Sequence, residues 1–209
     1  MRDGYMARCP ILLLCIAVWT LNGCASTEPT QFFILTPLLQ AERVPLVAGN
    51  VQDIAVGLGP IELPRYLDRP QIATHASRNE LKFAEFNQWA EPLQANVSRV
   101  LSENLSHLLA TDYIALHPWP RSMPVAYQVA IQITHFEGST GEHGKLIARW
   151  QIIDAESQDE LMRQTSRFQT AAETTAYGAI AAAMSRALGD LSREIAAALT
   201  TLAQKRTSA

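Results

Sequence analysis

The sequence predicts an α/β chain of the α+β kind, a single mixed sheet of about seven strands with two long helices packed on it. Three observations predict it. Several runs alternate apolar and polar residues, as strands half-buried on one face do. Two stretches instead repeat their apolar residues at three and four, as amphipathic helices do. The chain has 209 residues, 48% of them hydrophobic and 18% charged, which suits one sizeable core and excludes a disordered or fibrous chain.

The first strand is Gln31-Phe32-Phe33-Ile34-Leu35, aromatic and β-branched and stopped by Pro37. Leu38 to Asn50 reads as a loop, with Pro45 and Gly49-Asn50 inside it. Ile54, Val56 and Leu58 then alternate as a half-buried strand that Pro60 and Pro64 end. Gln71 to Thr74 and Glu80 to Phe86 are short extended pieces, with Ser77-Arg78-Asn79 as the turn between them.

After Trp89-Ala90-Glu91-Pro92 the period changes. Leu93, Val97, Val100, Leu101, Leu105, Leu108 and Leu109 repeat at three and four, a helix whose first turn suits Pro92. Tyr113 to Leu116 is a short strand closed by Pro118-Trp119-Pro120. Two longer strands follow, Ala126 to Phe136 and Lys145 to Ile153, with a glycine-rich hairpin loop expected over Gly138 to Gly144. Leu161 to Phe168 is the last strand. The last helix carries Tyr177, Ile180, Met184, Leu188, Leu191, Ile195, Leu199 and Leu202 at spacings near a heptad. That stripe suits a partner helix as well as a core, but Ala181, Ala182, Ala183, Ala196, Ala197 and Ala198 favour close packing on the protein's own sheet.

The start of the chain is a separate matter. Arg2 and Arg8 precede an unbroken, mainly apolar run from Ile11 to Leu21. A bilayer span needs about 20 apolar residues, so this run fits the core of a signal peptide rather than an anchor. Leu21-Asn22-Gly23-Cys24 resembles a lipobox, the site at which bacterial lipoproteins are acylated and cut. The expected organisation is residues 1–23 as a lipoprotein signal peptide, 24–30 as a lipidated tether attached through Cys24, and 31–205 as a single domain. Ala25 follows the cysteine, and the absence of Asp there favours export to the outer membrane. Seven residue steps from Cys24 to Gln31 reach at most about 25 Å, so the domain is expected close to the membrane.

Charge and cysteine content narrow the function. Without residues 1–23 the chain keeps 15 basic and 19 acidic residues and no basic run, which speaks against nucleic acid as a partner. The three cysteines are Cys9, Cys15 and Cys24. The mature chain would hold no thiol beyond the acylated one, excluding disulfides and cysteine metal sites.

No catalytic pattern survives inspection. Gly138-Ser139-Thr140-Gly141-Glu142-His143-Gly144-Lys145 lacks Walker spacing, and a strand rather than a helix follows it. His75, His107, His117, His135 and His143 include no zinc-type pair, and surface or loop positions explain them. There is no Gly-x-Ser-x-Gly elbow. Neither an enzyme nor a cofactor is expected, apart from the lipid on Cys24. Arg149, Arg163 and Arg167 form either a stripe for acidic lipid heads or a partner, or, more simply, a solvated sheet face.

Two segments resemble a known family. Phe32-Phe33-Ile34-Leu35-Thr36-Pro37 after Cys24 resembles the aromatic-x-Leu strand of the ABC-type transport auxiliary lipoproteins, the PqiC-type family. Leu63-Pro64-Arg65-Tyr66-Leu67-Asp68-Arg69-Pro70, continuing through Phe86-Asn87-Gln88-Trp89-Ala90-Glu91-Pro92-Leu93 into the helix, resembles the Pro-x-Tyr-Leu and Trp-Ala-x-Pro-Leu segments of the same family. The resemblance implies an outer-membrane lipoprotein on the periplasmic face that works beside a transport system built on mammalian-cell-entry (MCE) domain proteins and moving phospholipids or other hydrophobic molecules. Tyr66, Leu67 and Trp89, in proline-bounded segments, are the candidate docking residues for that partner; the plainer alternative is that Trp89 packs under the first helix and Tyr66-Leu67 close the sheet edge. A homo-oligomer stays open. So do two other readings: a regulator or assembly factor for cell-wall or lipopolysaccharide machinery, and a binding module that carries lipid itself.

Overall fold

The longest alternating run becomes the spine of a sheet. In this computed structural model, which describes residues 28–38, 55–120, 122–139 and 143–207, eight strands form one mixed sheet. They are β1 (Gln31–Phe33), β2 (Val56–Glu62), β3 (Gln71–Ser77), β4 (Glu80–Trp89), β5 (Ile114–Leu116), β6 (Tyr127–Ser139), β7 (His143–Asp154) and β8 (Glu160–Ala171). Two helices, α1 (Leu93–Leu109) and α2 (Tyr177–Thr207), complete the α+β fold. The expected signal peptide, Cys24, most of the tether and the loop read over 39–50 lie outside the described residues.

β6 has β7 antiparallel on one side, and β8 follows on β7. Its other edge is shared. β2 runs parallel to it over Val56–Glu62, the chain leaves in a short 3-10 turn at Arg65–Leu67, and β3 returns to the same edge at Gly138 and Ser139. β4 pairs antiparallel with β3, β1 is parallel to β4, and β5 is parallel to β2. The turn therefore fills the gap between two strands that use one edge in succession.

The expected hairpin loop is shorter than Gly138 to Gly144. Gly138 pairs with Gly144 and Ser139 with His143, so both glycines belong to strands. The reason is the helix above. A Cβ on Gly144 would sit 3.0 Å from the backbone nitrogen of Met184, so this glycine admits α2 to the sheet rather than bending a turn.

Both helices feed one core. In β7, Leu146, Ala148, Trp150 and Ile152 are buried, while the alternate residues Lys145, Ile147, Arg149 and Gln151 turn to the other face. α1 contributes Val97, Leu101, Leu105 and Leu108, and α2 contributes Met184, Leu188, Leu191 and Ile195. Ala181, Ala183, Ala196 and Ala198 are buried as expected, whereas Ala182 and Ala197 face outward. The helices are also joined by hydrogen bonds: Asn104 Nδ2 donates to Ser192 Oγ at 3.1 Å, and Asn104 Oδ1 accepts from the Leu38 amide at 2.8 Å. The Thr36 amide donates to Ser185 Oγ at 3.1 Å. The segment after β1 is thereby pinned to both helices.

Candidate functional site

Tyr66 sits in the 3-10 turn between β2 and β3. Pro64 starts the turn with a φ of −58°, and the Leu67 amide donates to the Pro64 carbonyl at 2.9 Å. This places the phenol over the edge of β6, where Tyr66 Oη donates to Glu137 Oε2 at 2.8 Å. The same carboxylate oxygen accepts the Phe136 amide at 2.8 Å, and Oε1 meets His75 Nε2 at 2.9 Å. Glu137 has no exposed side-chain surface. The turn, β3 and β6 thus meet on one buried carboxylate.

The electrostatics follow from that burial. Desolvation, then the hydrogen bond to Glu137 and its charge, hold the Tyr66 phenol well above its usual range. His135, two residues from Glu137 on β6, has its pKa lowered chiefly by burial, with Lys145 and His75 adding to the effect and Glu137 opposing it. Its Nδ1 lies 2.6 Å from the Thr134 carbonyl. His75 Nδ1 faces the Ser77 carbonyl at 3.3 Å, so both nitrogens of that ring point at oxygen acceptors. His75 and His135 are therefore partly exposed strand residues, His75 bound to Glu137 and His135 to the Thr134 carbonyl, where the sequence reading gives surface or loop positions. Glu137 already accepts from a phenol, an amide and an imidazole, an arrangement suited to latching three elements together.

The three expected docking residues do not share a surface. Leu67 and Trp89 are each 4% exposed and belong to the core. Both side chains sit in a continuous apolar core in this conformation, as the packing alternative describes. The Trp89 amide donates to the Pro70 carbonyl at 2.7 Å and the Ala90 amide to the Phe33 carbonyl at 2.8 Å, so this stretch ties β1 to the residue that leads into β3. Tyr66 is partly buried and already engaged. Cys24 lies outside the described residues. Sequence reasoning missed Glu137, although a carboxylate inside a long strand, next to Phe136, was a readable signal.

The helix-free face carries the expected arginines. Arg149 and Arg167 are exposed, and Arg163 donates to Gln151 Oε1 at 3.2 Å and is paired with Glu160. A surface groove of about 330 Å³ beside them is lined by Pro60, Glu62, Gln132, Arg149 and Arg163. A second, of about 320 Å³, lies between β8 and α2. Among the described residues no group of three or more His, Cys, Asp or Glu is placed to hold a metal ion. No described helix is long and apolar enough to cross a membrane.

A family model described as an ABC-type transport auxiliary lipoprotein component matches residues 37–196. No curated protein matches the sequence. Among solved structures, a Xanthomonas campestris protein described under the family model DUF330 is similar at a TM-score of 0.72 and 16% identity, covering 86% of this chain and 100% of that one. A second, described as an uncharacterized protein, gives 0.67 at 15% identity, covering 82% of this chain and 99% of that one. At such identities the likeness speaks for the fold.

Proposed function

The chain belongs to the ABC-type transport auxiliary lipoprotein family, and on that premise we propose that it is a non-catalytic subunit of an MCE-type transport system, anchored through lipid on Cys24 to the periplasmic face of the outer membrane. In this reading it supports the movement of phospholipids or other hydrophobic molecules between membranes. The observation that carries it is the reach of the family match, which runs from the segment after β1 through β8 and into α2. The lipobox-like end of the leader and the short tether support the anchored half of the reading.

The lipid-carrying alternative draws less support. Two grooves among the described residues, about 330 and 320 Å³, lie at the lower end of the range for small-molecule sites, and described side chains of sheet and helices pack there into one core. The test is crosslinking in native membranes followed by purification of the full chain. The expected result is recovery of an MCE-domain protein. Recovery of cell-wall or lipopolysaccharide assembly proteins in its place would overturn the partner assignment. Separately, Cys24→Ala is expected to release a folded protein from the outer-membrane fraction, and its retention there would sink the anchor.

A further inference from the structure

The stretch from Phe32 in β1 to Leu35 just after it is apolar on both sides, which an edge segment beside water does not require. Phe33 packs against the core and Leu35 is fully buried, while Phe32 is 64% and Ile34 48% exposed. The exposed pair is not isolated. Phe32 pairs with Gln88, Gln88 with Gln71, and Ala73, two residues on, with Phe83. The register shifts between these two pairs, so the face is read along β3: Thr74 pairs with Gly138 under Ile180 of α2, which turns Gln71 and Ala73, and with them Phe32 and Phe83, to the helix-free side. Phe83 is 37% exposed, and the Arg69 guanidinium lies 3.9 Å over its ring. Large exposed apolar side chains beside a cation make a patch that a monomer in water has no use for.

The position along the chain says what covers it. The described part of the chain begins at Glu28, four residues before Phe32, and Cys24 is four residues earlier still. Eight steps span at most about 29 Å, so a lipid on Cys24 keeps these side chains at the bilayer whatever path the tether takes. Aromatic and aliphatic side chains with a neighbouring cation match the boundary between acyl chains and anionic headgroups.

We propose that Phe32, Ile34 and Phe83, with Arg69 beside them, form a membrane-resting face that holds the tethered domain in one orientation on an anionic bilayer. The proposal rests on the lipid-anchor reading. A single acyl attachment leaves a domain free to tumble about its leash, whereas an apolar contact four residues into the fold makes a second point of attachment.

The test uses the full lipidated chain in vesicles of phosphatidylethanolamine and phosphatidylglycerol. Because Cys24 is acylated, Phe32→Cys, Ile34→Cys and, as a control, Tyr113→Cys each supply a single thiol for an environment-sensitive dye. Tyr113 is 56% exposed and adjoins β5, at the opposite end of the strand order from β1. The expected result is blue-shifted emission at positions 32 and 34, with quenching by brominated acyl chains several-fold stronger than at position 113. If all three positions quench equally while the protein floats with the vesicles, the anchor stands and the face is wrong. If the protein does not float, the anchor and this face fall together. If the dye at 32 is already shielded without vesicles in unanchored protein expressed from residue 25, where it is again the single thiol, another part of the chain covers the patch and the proposal fails. Hydrogen exchange on the unlabelled chain gives a check free of dye: residues 31–34 should gain protection on vesicles, and no gain there overturns the contact.

Discussion

The phenol of Tyr66 and the carboxylate of Glu137 meet at 2.8 Å across 71 residues of sequence, joining the turn between β2 and β3 to the far half of β6. Glu137 is wholly buried, so each donor it holds offsets part of the cost of removing a charge from water. Tyr66→Phe deletes one donor and leaves the ring in place. The expected loss is about 1–3 kcal/mol, the range for a buried polar group deprived of a partner. Chemical denaturation measures it. A double-mutant cycle with Glu137→Gln should show coupling between the two positions, and additive losses would mean that the bond contributes nothing of its own.

Ala110 ends α1 in the left-handed region, with φ 50° and ψ 43°. The geometry is that of a helix C-cap, completed by the Thr111 amide donating to the Ser106 carbonyl at 3.0 Å. Glycine adopts this conformation without the clash of a Cβ, which costs an L-residue about 1–2 kcal/mol. Part of that gain is offset by glycine's greater freedom in the unfolded chain. Ala110→Gly is therefore expected to raise stability by about 1 kcal/mol and the melting temperature by about 2–4 °C. A lowered melting temperature would refute the capping argument.

Much of this fold was legible because its elements keep their period. Tyr127, Val129, Ile131 and Ile133 on β6, and Leu146, Ala148, Trp150 and Ile152 on β7, alternate as strands must, and both helices show their apolar stripe. The latch was hidden because β6 changes phase. Counting by twos from Tyr127 would turn Glu137 toward the helices and Phe136 away from them. A register shift between Ile133 and His135 reverses this and buries Phe136, as a β-bulge does. An apolar residue one step out of phase was the visible mark of that bulge. The burial of Leu67 and Trp89 was less accessible, since prolines around a segment limit its backbone without saying which side chains the core takes. That β2 and β3 share one edge of β6 is a long-range fact with no local signal.

Gly57 and Trp119 make a second close fit. A Cβ on Gly57 would lie 2.5 Å from both Cη2 and Cζ2 of the indole, inside any tolerable contact. The indole also stands edge-on to His117, with ring centroids 5.6 Å apart. Gly57→Ala must displace the ring, and overpacking of this kind typically costs about 1–3 kcal/mol. Combined with Trp119→Ala, the same substitution should cost much less, because the obstacle is gone. Equal costs in the two backgrounds would show that the glycine is needed for some other reason.

His135 sets an expectation for pH. Burial depresses its pKa below the ordinary value of 6.5, with Lys145 and His75 adding and Glu137 opposing. Over the pH range from that ordinary value down to the depressed one, the unfolded chain binds a proton that the folded chain does not. Stability therefore rises with pH across that window and falls as the solution is acidified through it. The linked quantity is the proton taken up on unfolding, and the His135 ring is the group that binds it. His135→Gln keeps a polar side chain of similar reach and removes the titration. In that variant the decline in melting temperature on acidifying below about pH 6.5 should be shallower than in the unaltered protein. Parallel curves for the two proteins would assign the acid sensitivity to other groups.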